Sequence, residues 1–445
     1  MFELDEQIRR IMPTAMTGRV ARIVGTTAAV AGLPAPVGAL VELERQSGDP
    51  LRGEVIGFRD DMAIVYPQSD LTGVRRGNAV RLVRTLPWLA VGDELLGRVV
   101  NAAGEVIDHG PQPVLPSRTL VDRNPPSAVS RPRIKETIST GIRSIDALLT
   151  CGKGQRMGIF AGSGVGKSVT LGMMARYTSA DINVVALIGE RGREVNDFIE
   201  RDLGPEGLKR SVVIVATSDE PAITRVRAAL SATAIAEYFR DQGRDVLLMM
   251  DSVTRFAQAQ REIGLAAGEP PTTRGFPPSV FAMLPKLFER AGLMPRGSIT
   301  AFYTVLVEAD DPNEPIGDAT RGLLDGHTWL SRKLASRGHY PAIDVLGSLS
   351  RLMNDIVPPE HLDAALALRE LLSVYRDHED LISIGAYRRG GNPVLDLAIE
   401  MQEPINQFLR QRVDEASSVE ESRQALIALL RTAAARGGGH SMANN

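Results

Sequence analysis

Ala161-Gly162-Ser163-Gly164-Val165-Gly166-Lys167-Ser168 is the stretch on which the fold turns. It matches the phosphate-loop pattern GxxxxGK[ST] except at its first position, where Ala161 stands for glycine. Apolar Met157 to Phe160 precede it and read as a strand, and Val169 to Tyr177 follow it and read as a helix, the setting the pattern requires. Glycines let successive backbone N–H groups turn inward at a helix N-terminus, where the dipole also favours negative charge. Gly162, Ser163, Gly164, Val165 and Gly166, with Val169 in the first helical turn, are therefore expected to surround the phosphates of a nucleoside triphosphate. Lys167 is expected to reach the terminal phosphates and the Ser168 hydroxyl to hold Mg²⁺. Ala161 lacks easy access to positive φ, so the turn at that position must use an ordinary backbone conformation.

Outward from the loop, Val184 to Ile188, Val212 to Val215, Val246 to Met250 and Ile299 to Leu306 are nearly continuous apolar runs, with the clearest helix at Pro221 to Asp241. Such strands separated by helices predict a parallel sheet covered on both faces. The run Val246 to Met250 ends in Asp251, which falls at the carboxyl edge beside the loop and is the expected second metal ligand. Glu190 follows Val184 to Ile188 at the same edge and is placed to align water for attack on the γ-phosphorus. By spacing alone Glu194 and Asp219 compete with it.

Before the loop, Arg19 to Val24, Ala39 to Glu44, Glu54 to Phe58, Met62 to Tyr66 and Ala79 to Val83 are short β-like runs split by turns such as Gly48-Asp49-Pro50. They predict a small β-barrel or sandwich. Proline-rich Pro111 to Arg133 reads as an extended connection packed on the next domain. Past about Pro359 the apolar spacing is helical in Leu362 to Tyr375, Leu395 to Leu409 and Val419 to Leu430, and Gly437 to Asn445 reads as disordered. The expected division is an N-terminal helix and barrel over 1–90, an α/β nucleotide-binding domain over 91–360 and a helical domain over 361–445.

The chain of 445 residues is long enough for several cores, and its 43% apolar content can fill them. A formal charge of −3 gives no global positive field for nucleic acid or anionic membrane. The one cysteine, Cys151, suits a reducing cytosol. Charged residues interrupt Met1 to Pro13, which reads as a short helix and not a signal peptide, and no run reaches membrane-span length. The six histidines are scattered and no HExxH or CxxC occurs, so zinc chemistry is unsupported.

Phe160 to Ser168, Gly189-Glu190-Arg191-Gly192-Arg193-Glu194-Val195 and Asp251-Ser252-Val253-Thr254-Arg255-Phe256-Ala257-Gln258-Ala259 together resemble the RecA-like core of rotary ATP synthase subunits. Pro341-Ala342-Ile343-Asp344-Val345-Leu346-Gly347-Ser348-Leu349-Ser350-Arg351 is similar to that superfamily's signature. Arg261 to Pro271, Gly275 to Phe281 and Glu308 to Ile316 resemble the type III protein-export ATPases of flagella and injectisomes. The Pro270 to Phe281 segment is similar to flagellar members above all.

That resemblance implies an Mg²⁺-dependent ATPase energising flagellar protein export, with injectisome secretion as the alternative. It makes Glu190 the catalytic glutamate, Arg191 its neighbour in the site, and Tyr340 the ring set against adenine. It makes Arg351 the arginine that reaches the γ-phosphate of a neighbouring subunit, and one chain carrying both Glu190 and Arg351 suggests a homohexamer of identical sites. Further implied are a regulatory stator protein at the N-terminal helix, and a central stalk protein, the export gate and chaperone–cargo complexes at the C-terminal helices. The place implied is the cytoplasm, peripheral to the inner membrane. Ile384 to Gly390 does not resemble the acidic loop with which synthase catalytic subunits engage their shaft, which argues against the proton-driven synthase. An RNA-translocating ring is disfavoured because Arg19 to Val83 offers only Phe58 and Tyr66 for base stacking. A non-catalytic rotary subunit is disfavoured by Glu190.

Overall fold

The computed structural model describes residues 16–307 and 314–441, with side chains through residue 435. The helix expected over Met1 to Pro13 and residues 308–313 of the Glu308 to Ile316 run lie outside the described residues. Six antiparallel strands, Thr17–Val24, Thr27–Ala31, Leu40–Leu43, Leu51–Arg59, Met62–Pro67 and Ala79–Arg84, close into a barrel in the order first, second, fifth, fourth, third, sixth. The choice between barrel and sandwich is thereby made. Val20, Val30, Val41, Leu43, Val55, Val65 and Val80 fill its interior. Thr27–Ala31 is a strand that the sequence reading passed over. Four of its five residues are buried and three are alanine, so it shows neither polar alternation nor β-branched enrichment.

The nucleotide-binding domain is built on a sheet ordered Ile343–Ser350, Gly326–Leu330, Arg156–Ala161, Ser298–Leu306, Asp245–Asp251, Ile182–Glu190, Ser211–Thr217, Arg98–Asn101. All neighbours along it are parallel except Ile343–Ser350. The apolar runs of the sequence form its middle. Ile182, Val184, Ala186 and Ile188 face one core, while Val185 and Leu187 face the other, which is why that run shows no polar alternation. The outer strands Arg98–Asn101, Gly326–Leu330 and Ile343–Ser350 were not anticipated, being short or carrying Asp344, Gly347 and Ser348.

The proline-rich connection includes a short strand, Ser117–Leu120, paired with Trp88–Val91. A buried ion pair fastens it. Arg290 donates to Glu237 at 3.0 and 2.8 Å and to the Val121 carbonyl at 2.9 Å, and both charged side chains are almost fully buried. Replacing Glu237 by alanine strands the Arg290 charge, so the variant is expected to lose about 3–5 kcal/mol of stability. Calorimetry of wild type and variant checks this; an unchanged melting temperature contradicts it.

Helices Pro359–Ser383, Pro393–Leu409 and Val419–Ser441 form the C-terminal part, and Leu368, Met401 and Leu426 join the core beneath the loop helix. The last helix runs through Gly437 to Ser441, where the glycines predicted disorder. Extending an existing helix needs no new nucleus, which offsets part of the glycine cost.

Candidate functional site

Parallel register brings the strand ends to one edge: Ala161 pairs with Leu306, and Leu187 with Asp251. The chain turns there into the helix Lys167–Tyr177, with Gly166 at its N-cap. Positive φ falls on Gly164 (77°) and Gly166 (88°) and not on Ala161, so the alanine sits where no left-handed conformation is needed. The loop opens on a cleft of about 670 Å³, of the size of a nucleotide site. Gly162, Ser163, Gly164, Gly166, Lys167, Ser168 and Val169 line it, together with Glu190 and Arg191. Val165 is buried beneath and contributes backbone alone.

Lys167 Nζ lies 2.5 Å from Asp251 Oδ1 and 3.5 Å from Glu190 Oε1. The same Asp251 oxygen accepts from the Thr304 hydroxyl at 2.7 Å, which fixes the carboxylate toward the loop. Burial works against the Lys167 charge, but Asp251 and Glu190 outweigh it and hold the ammonium above its ordinary pKa. Glu190 is driven the other way. Burial first, then the Asp251 carboxylate, raise it to about 7 against the pull of Lys167. A carboxylate poised near 7 is suited to accept a proton from water at neutral pH. Glu194 also lines the cleft, at its rim and ion-paired with Arg191 at 3.6 Å, whereas Asp219 does not line it. Of the three acids, Glu190 is the one ion-paired with Lys167, and Glu194 stands beside it.

The raised pKa carries a pH prediction. A general base at Glu190 would work ionised, so kcat/KM of the free protein should climb through about pH 7 to a plateau above it. In stability the folded chain holds this proton more tightly than the unfolded one. That contribution is complete below the ordinary 4.5 and is lost as pH rises through about 7. A pH–rate profile with its acid limb near 4.5 contradicts the assignment.

Tyr340 packs on the loop: a Cβ added at Gly166 would stand 3.4 Å from two of its ring atoms. The residue is 46% exposed. Arg351 is elsewhere. Its N–H donates to the Asp325 carbonyl, and Asp325 N–H donates to Arg156, which begins the strand that Ala161 ends. The six residues of that strand put Arg351 about 17–20 Å from its own loop, at the opposite edge of the sheet.

Thr304, Thr254, Arg255 and Gln258 belong to the site but were given no role from sequence. Thr254 accepts from Leu306 N–H at 2.9 Å, tying the helix Val253–Ala267 to the adjacent strand end. Arg255 donates to Gln258 at 3.2 Å, and both line the cleft. Their i, i+3 spacing after Ser252, the N-cap of that helix, was the signal available. The Ser168 hydroxyl and Asp251 carboxylate are hard oxygen donors of the kind Mg²⁺ takes alongside water and substrate phosphates. No larger group of metal-ligating side chains exists among the described residues.

Residues 141–350 match the nucleotide-binding domain of the ATP synthase alpha/beta family, and residues 357–428 match the C-terminal domain of the type III secretion ATPase EscN. The chain is 53% identical to the flagellum-specific ATP synthase of Bacillus subtilis over 93% of its own length and 94% of the relative's. It is 50% identical to the type 3 secretion system ATPase of Xanthomonas euvesicatoria over 96% and 97% of the two. Among solved structures it resembles the assembled ATPase EscN of enteropathogenic E. coli, with a TM-score of 0.88 and 46% identity over 93% of this chain and 100% of that one. EscN in complex with its central stalk EscO is similar at a TM-score of 0.86 and 45% identity, again over 93% of this chain and 100% of that one. With a loop, a buried lysine–carboxylate cluster and relatives matched over nearly its full length, this chain is an ATPase that belongs to the ATP synthase alpha/beta family, in the group of flagellum-specific and type III secretion ATPases.

Proposed function

We propose that the chain hydrolyses ATP with Mg²⁺ to energise flagellar protein export, releasing or unfolding chaperone-bound substrates at the membrane gate. The observation that carries the chemistry is Lys167 held between Asp251 and Glu190 at the mouth of the loop. With phosphates bound, Lys167 would turn to them from the two carboxylates, Asp251 and Ser168 would hold Mg²⁺, and Glu190 would align water. The chemistry Mg²⁺ would supply there is neutralisation of the charge on the substrate phosphates. Loop N–H groups orient the phosphates, Arg191 stands beside Glu190, and Tyr340 takes the adenine.

Arg351 cannot serve its own cleft from the far edge of the sheet, which supports a homohexamer in which it completes the site of a neighbour. The assembled state of EscN and its central stalk complex support the same ring here, with a central stalk protein in its channel. A stator protein takes the N-terminal segment, while the export gate and chaperone–cargo complexes meet the C-terminal helices. Inner-membrane attachment runs through these partners; no helix among the described residues is long and apolar enough to cross a membrane. Within the barrel strands Tyr66 is buried and Phe58 alone is an exposed aromatic, which supports a reading without nucleic acid. Deleting the gene tests the proposal: cells should lose the external filament and retain its subunits inside. Intact filaments with loss of injectisome secretion, or phosphate release stimulated by RNA, would overturn it.

A further inference from the structure

Trp88 lies between two guanidinium groups, Arg84 Cζ at 4.1 Å and Arg118 Cζ at 4.0 Å from its ring centroid. Pairing of Trp88–Val91 with Ser117–Leu120 sets Leu120 opposite Trp88, so Arg118 is the diagonal neighbour on the same face. Arg84 ends the last barrel strand. Burial and the nearby Arg52, Arg118 and Arg227 hold Arg84 below its ordinary pKa. Arg52 and Arg227 have carboxylate partners in Glu105 and Glu54, whereas no ion pair to Arg84 or Arg118 occurs among the described residues. The joint between barrel and nucleotide-binding domain thus carries two uncompensated cations. Beside them Val37, Leu86 and Leu120 are exposed apolar side chains lining one groove.

The register also places Met16, the first described residue, beside the end of the last barrel strand. Thr17 pairs antiparallel with Arg81, and Leu82 N–H donates to the Met16 carbonyl at 2.9 Å. Beyond Leu82 the partner strand continues through Val83 to Arg84. Residues Phe2-Glu3-Leu4-Asp5-Glu6 combine two apolar side chains with three acids, the complement of Leu86, Leu120 and the two arginines; the groove's own acids are Glu54, which is paired with Arg227, and Asp122. The nine residues between Glu6 and Met16 span about 14 Å as helix and about 30 Å extended, enough to reach the patch either way.

We infer that Phe2 to Glu6 of the same chain dock on the Arg84–Trp88–Arg118 ladder, with the acids on the guanidinium groups and Phe2 and Leu4 over Leu86 and Leu120. Under the export reading above, this segment is also the one a stator partner takes, so docking and partner binding exclude each other. The docking itself does not depend on that reading.

The test uses the full chain carrying Gln7→Cys and Leu86→Cys, since native Cys151 is fully buried and leaves the two new thiols as the reactive pair. A short bismaleimide should link the two within one chain, independently of protein concentration. Adding Arg84→Glu and Arg118→Glu should slow linkage roughly fivefold, as should about 1 M salt. Combining that reversal with Glu3→Lys, Asp5→Lys and Glu6→Lys should restore the rate, which also shows that the reversed patch still folds. Linkage only between two chains, linkage indifferent to charge reversal, or no linkage at all overturns the inference.

Discussion

Arg351→Ala is expected to lower ATP turnover of the assembled protein by roughly 10³–10⁵-fold, the range seen when an arginine finger is removed. The reason is positional. Arg351 stands at the edge of the sheet where the strand Arg156–Ala161 begins, and the phosphate loop stands where it ends. A substitution there leaves the cleft of its own chain untouched, so ATP affinity of the isolated chain should match wild type while turnover collapses. The decisive measurement mixes Arg351→Ala chains with Glu190→Gln chains, each of which alone turns over only at its reduced rate. In a closed ring of random order about a quarter of interfaces join an intact Glu190 to a neighbour's intact Arg351. Activity should therefore reappear on mixing. If the mixture stays as inactive as its components, sites are not shared between subunits.

Glu190→Gln is the second large effect, with kcat expected to fall about 10²–10⁴-fold, the usual contribution of a positioned general base. Glutamine keeps the size and hydrogen bonding of the side chain but accepts no proton from water. Phosphate binding rests on the loop and Lys167, so KM for ATP should move little, which places the loss in the chemical step. The acid limb of the pH–rate profile should vanish with it, since Glu190 is the group raised to about 7. A variant that keeps the limb near 7 and loses only KM would reassign the base to another group.

How legible these features were differs from residue to residue. The loop could be read because its chemistry is local: glycines supply positive φ, and Lys167 and Ser168 follow at fixed offsets. Asp251 could be read as the end of an apolar strand. Glu190 could not be separated from Glu194 and Asp219 by spacing, because what distinguishes it is burial beside Lys167 and Asp251, and burial is a property of packed strands. Thr304 was invisible for the same reason. It is fifty-three positions from Asp251 and meets it only through sheet register. The strand Thr27–Ala31 was missed because alanine has weak strand preference, and closure of the barrel recruits it regardless.

The sequence by itself determined that this protein has an apolar parallel sheet with a phosphate loop at its carboxyl edge, since continuous apolar runs, turn chemistry and motif offsets act over a few residues. Only the tertiary structure decided which acids share the loop's lysine, that Tyr340 packs on Gly166, and that Arg351 stands at the opposite edge of the sheet from its own loop. Those outcomes depend on which strands become neighbours, and strand order is set by long-range packing that no local window of residues contains.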